Sequence, residues 1–140
     1  MAIYFDYQTK EFIINHEEVV KQKIEEICKS EGKKVGNLQY VFVTNEEILM
    51  INRAFLDHNY YTDIITFDNG FLNVIEGEIY ISIETVRNNA IDIGVKFNSE
   101  IKRVIIHGIL HLIGYTDKTI VEQKVMRKKE EEYMPYLDVL

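Results

Sequence analysis

One cysteine in 140 residues leaves no internal disulfide framework and no multi-cysteine zinc site. Cys28 falls within a segment of helical spacing and reads as packing. Proline is as scarce: Pro135, near the end, is the only one. No linker, internal repeat or low-complexity tract divides the chain. No stretch approaches the ~18 uninterrupted apolar residues of a membrane span. The opening Met-Ala-Ile-Tyr-Phe-Asp has neither a basic n-region nor a long apolar h-region. The expectation is a cytoplasmic protein with no membrane partner. Positive charge is also in deficit. A net charge of −7 argues against a general nucleic-acid-binding surface, since such surfaces are usually basic.

The apolar fraction of 46% excludes a disordered chain and, at this length, fits one domain over residues 1–140. Acidity is uneven. Residues 99–140 hold seven basic and seven acidic side chains, so the excess of negative charge lies in residues 1–98. A divalent cation bound in the neutral segment would make it locally positive and open to a polyanion.

Four strands are predicted, over residues 2–7, 38–43, 63–67 and 77–82. Asn15 can cap a helix over about 16–31, with Val19, Val20, Ile24, Ile27 and Cys28 as its apolar positions. Thr44 and Glu47 form a capping-box pattern for a second helix, and a third covers 83–91. A fourth begins at Asn98 or Ser99 and carries the motif described next. Thr119 and Glu122 form another capping box, for a fifth helix ending near Tyr133. Strands grouped between helices indicate an α+β fold: a small sheet of about four strands with about five helices, not a doubly wound sheet.

The motif is His107-Gly-Ile-Leu-His111-Leu-Ile-Gly114-Tyr-Thr-Asp117. Residues four apart share a helix face, about 5–6 Å apart at Cβ, so two imidazoles there can converge on one ion. Gly114 can end the helix in a left-handed conformation and turn the chain, letting Asp117 fold back as a third ligand. Three side chains suit an open zinc site better than a closed structural one. A single histidine in so apolar a helix would be read as a core residue paired to a carbonyl. A pair at this spacing, followed by Gly and Asp, reads better as metal ligands. A zinc-peptidase helix has Glu directly after its first His. Gly108 stands there, so the peptidase base is missing.

The run 107–115 resembles the signature of the YbeY endoribonuclease family. Two upstream blocks extend the resemblance: Ile51-Asn-Arg-Ala-Phe55 with Tyr61-Thr-Asp-Ile-Ile-Thr-Phe67, and Gly77-Glu-Ile-Tyr-Ile-Ser82. Together they cover roughly residues 45–118. The resemblance implies a compact α+β fold with one zinc ion per chain, at the end of a buried helix. It also implies single-strand-specific endoribonuclease activity in maturation of ribosomal RNA, particularly the small-subunit 3′ end, and in ribosome quality control. Ribosomal RNA is the implied partner, with ribosomal proteins as further ones.

Two departures stand out. The family usually has a third His where this chain has Asp117, which makes a two-His-one-carboxylate set and widens the choice of metal. Many members have an arginine at the position of Leu56, thought to contact the RNA. Arg103, four before His107 on the same stripe, is a candidate replacement, as is Lys118. His58 is a candidate proton donor, though an exposed side chain is the simpler reading. Thr62 and Asp63 are cleft candidates that can equally open a strand, and His16 reads as surface. Whether water or the ribose 2′-OH is the nucleophile stays open. Two other classes also stay open: a hydrolase of a non-RNA substrate, and a ribosome-associated protein whose zinc is structural.

Overall fold

Alternation of apolar side chains gives the strands two distinct faces, and the helices divide unequally between them. The computed structural model describes residues 2–56 and 62–140. Its elements run β1 (Ala2–Tyr7), α1 (Glu17–Ser30), β2 (Lys34–Val43), α2 (Asn45–Phe55), β3 (Ile64–Asp68), β4 (Val74–Ser82), α3 (Ile83–Ile93), α4 (Phe97–Ile113) and α5 (Ile120–Tyr133), closed by a 3-10 turn at Met134–Leu137. This is the expected α+β fold of four strands and five helices.

The sheet order is β1-β2-β4-β3. β1, β2 and β4 are parallel, and β3 pairs antiparallel with β4. One face carries Leu38, Tyr40, Phe42, Ile79 and Ile81 into the main core beneath α1 and α4. The other buries Val41, Val43 and Ile65 against Ile48 of α2 in a smaller cluster. Buried Tyr40 donates its hydroxyl to the Ile105 carbonyl at 3.0 Å, tying β2 to α4. Gly108 brings α4 close to the sheet. A Cβ there would lie 2.9 Å from both Ile64 Cδ1 and Ile79 Cγ2. The position that holds a base in zinc peptidases is here a packing contact.

Both capping boxes form. Thr44 Oγ1 accepts the Glu47 N–H at 3.2 Å, and Thr119 Oγ1 accepts the Glu122 N–H at 3.1 Å. The glutamates return the bond to the Thr44 and Thr119 amides. Two other helix starts differ from expectation. At α1 the cap is His16, in a left-handed conformation (φ 59°) with no side-chain capping bond, rather than Asn15. Tyr7 sets this entry: its hydroxyl accepts the Ile14 N–H and donates to Glu17. At α4 the cap is Lys96, again without a side-chain bond, rather than Asn98 or Ser99. Phe97 anchors that start instead, with its ring against Phe12 and under Arg87. In both places a tertiary contact overrides local capping chemistry. Val19, expected in the apolar stripe of α1, is exposed, while Val20, Ile24, Ile27 and Cys28 are buried. Burial, then the neighbouring Glu25, pushes the Cys28 thiol up to about 12, so it packs as a neutral thiol.

Candidate metal centre

Along α4 a polar stripe runs beside the apolar faces: Glu100, Arg103, His107 and His111, at spacings that keep them on one face. The helix ends at Gly114, whose φ of 128° a side chain would resist. The N–H groups of Gly114 and Tyr115 bond back to the Leu110 carbonyl at 3.1 and 3.0 Å. This turn carries Asp117 back to the histidines. The two Nε2 atoms lie 3.0 Å apart. Asp117 Oδ2 lies 3.3 Å from that of His107 and 3.4 Å from that of His111.

The tautomers follow from the partners of the other ring nitrogens. His111 Nδ1 sits 3.0 Å from the Tyr115 carbonyl oxygen, which can only accept, so Nδ1 carries the proton. His107 Nδ1 donates to Glu130 Oε2 at 2.6 Å. With Nδ1 carrying the proton in each ring, the Nε2 atoms are the positions that would offer lone pairs to a metal ion. Burial, and next His107, hold the His111 pKa below the usual histidine range, which favours the neutral ring. Two ring nitrogens and a carboxylate oxygen converge, a donor set that becomes favourable around a cation. Bonds of roughly 2.0–2.2 Å at tetrahedral angles would separate donor atoms by roughly 3.3–3.6 Å, close to the spacing observed. His107, His111 and Asp117 could thus hold one metal ion, with side chains that are neither fully buried nor fully exposed.

Two buried carboxylates frame this group, and neither stood out in the sequence. Glu100, 3% exposed, accepts from Arg103 through both oxygens, at 2.9 Å from Nε and 2.8 Å from Nη2. Glu130 of α5, 4% exposed, faces Arg103 Nη1 at 3.4 Å as well as His107. Asp63 Oδ2 lies 3.9 Å from Arg103 Nη2. Burial raises the Asp63 pKa, offset in part by the charges of Arg103 and His107. The pKa of Arg103 is raised chiefly by the Glu100 hydrogen bonds, with Glu130 and Asp63 adding to them.

Arg103 lines an open cavity of about 420 Å³ together with His107, Asp117, Lys124, Arg127 and Glu130. The Lys118 side chain is exposed and is not part of that lining. Thr62 bonds locally to the Ile64 carbonyl, His16 is exposed, and Leu56 ends α2 with 40% exposure. His58 lies outside the described residues.

A family model described as Endoribonuclease YbeY matches residues 4–138. The chain belongs to this family. Among YbeY relatives, that of Christiangramia forsetii is 44% identical over 126 residues, covering 90% of this chain and 88% of the relative. That of Flavobacterium psychrophilum is 41% identical over 137 residues, covering 98% and 97%. The fold is similar to the solution structure of TM1509 from Thermotoga maritima, with a TM-score of 0.69 and 30% identity over 97% of this chain and 89% of that one. Among the described residues, no helix is long and apolar enough to cross a membrane.

Proposed function

We propose that this chain is a zinc-dependent, single-strand-specific endoribonuclease acting in the cytoplasm on ribosomal RNA, at the 3′ end of the small-subunit RNA and in ribosome quality control. The observation that carries this reading is the convergence of two Nε2 atoms and one carboxylate oxygen, with His107 and Asp117 lining the cavity. The YbeY relatives, named as endoribonucleases, supply the substrate class.

His107, His111 and Asp117 would hold the ion, and a three-side-chain set leaves a position open to substrate. A bound divalent ion supplies Lewis-acid polarisation of a phosphoryl oxygen and acidifies water toward a pKa of ~7. The chain's own residues do the positioning. Glu130 fixes the orientation of the His107 ring, and the Tyr115 carbonyl does the same for His111. Arg103 is already engaged by carboxylates on several sides. We read it as a positioning residue that holds Glu130 in place, not as the phosphate contact. With Gly108 packed on the sheet, the position directly after His107 holds no glutamate to serve as a peptidase base.

Chelator treatment followed by re-addition of zinc tests this reading. Cleavage of a single-stranded fragment from the small-subunit RNA 3′ end should fall to background and return with one equivalent of zinc, while a duplex of the same sequence stays intact. Full cleavage by the metal-depleted protein would contradict it. The end groups of the product identify the nucleophile, since a 2′,3′-cyclic phosphate excludes direct attack by water.

A further inference from the structure

We propose that Lys124 and Arg127 on α5 form a subsite for the backbone phosphates of single-stranded RNA beside the metal centre. This inference rests on the RNA-cleaving reading above. Both side chains line the cavity that holds His107 and Asp117. Residues three apart on a helix are neighbours about 5–6 Å apart at Cβ, comparable to the spacing of successive phosphates along an extended strand.

Charge accounting singles these two out. Arg103 is outnumbered by Glu100 and Glu130, which leaves that cluster one charge negative even without Asp63. A divalent ion held by Asp117 would keep one positive charge in excess. The two cancel, so the centre itself offers an incoming polyanion no net attraction. Lys124 and Arg127 supply the attraction. Both are exposed, and among the described residues neither enters an ion pair. Lys129 on the same helix, in contrast, is paired with Glu31 and Glu132. The protein's overall charge of −7 repels RNA at long range, so local cations must direct the strand.

The test measures equilibrium binding of a short single-stranded RNA across a salt series. Chelator-treated protein is used so that the RNA stays intact, and the metal-loaded protein is assayed for cleavage in parallel. Lys124→Ala with Arg127→Ala should reduce the slope of log K against log salt by about 1.4, and affinity by roughly twentyfold at about 0.1 M salt. In the loaded protein KM should rise far more than kcat falls. Lys128→Ala is the charge control, because Lys128 is exposed but does not line the cavity. If the wild type cleaves and the double variant matches Lys128→Ala in slope and KM, the subsite is wrong and the nuclease reading survives. If the double variant shows the expected loss of slope but the loaded wild type does not cleave, the subsite stands and the nuclease reading falls. A wild type that neither binds nor cleaves removes both.

Discussion

Replacing Glu130 with alanine is expected to weaken metal binding by about 10–100-fold, the range seen when a ligand's supporting partner is lost. Glu130 reaches both His107 Nδ1 and Arg103 from a site only 4% exposed. Without it the His107 ring loses its orienting acceptor, and Arg103 loses one of its buried counter-charges. Removing one partner of a buried ion pair costs about 3–5 kcal/mol. Here about 2–3 kcal/mol is expected, because Arg103 keeps its two-point contact with Glu100 and is partly solvated. Glu130→Gln separates the effects. Its amide oxygen can still accept from His107, while its amide nitrogen faces the guanidinium. The glutamine variant should therefore keep more metal affinity than the alanine variant while losing a similar amount of stability. Chelator competition reads the first and denaturant unfolding in excess chelator reads the second. Metal affinity unchanged in Glu130→Ala would remove Glu130 from the site.

Gly77→Ala should damage the fold without touching the donor set. Gly77 sits in β4 opposite Leu38 of β2 and Asp68 of β3, at a register shift in the β2 pairing. Its φ is +152°, and an added Cβ would stand 2.1 Å from the Phe67 carbonyl oxygen. Backbone displacement is the only relief, and it would open the β3–β4 pairing. Strain at such a backbone conformation and overpacking each cost about 1–3 kcal/mol, so a loss of about 3–4 kcal/mol is expected. At this chain length that lowers Tm by roughly 10–15 °C. The melting temperature of chelator-treated protein checks it, and a Tm within a few degrees of the wild type would show that the strand absorbs the side chain.

Much of this was legible in the sequence because it is local. Alternation marked the strands, Thr-x-x-Glu marked α2 and α5, and the i, i+4 histidines with Gly114 and Asp117 marked a helix-end cluster. The unread parts depend on partners far away in the chain. β1, β2 and β4 run parallel, a pairing that no turn residue encodes. Glu130 lies in a run of three glutamates, and only the packing of α5 on α4 buries that one. A signal was present, since Met126, Glu130 and Tyr133 share one helical face. Glu100 was easier still to read: it stands three before Arg103 and seven before His107, on the polar stripe that carries both histidines. Reading that stripe as a unit would have shown Arg103 to be balanced by carboxylate, and left α5 to supply the free cations.

Metal content and RNA cleavage, measured on the same highly purified samples of wild type and His111→Ala, test the metal-centred reading most directly. The wild type should hold one zinc ion per chain and cut single-stranded ribosomal RNA fragments. His111→Ala should lose both properties while remaining folded. Equal cleavage by the two proteins, with the ion absent from the variant, would contradict a site built on His107, His111 and Asp117.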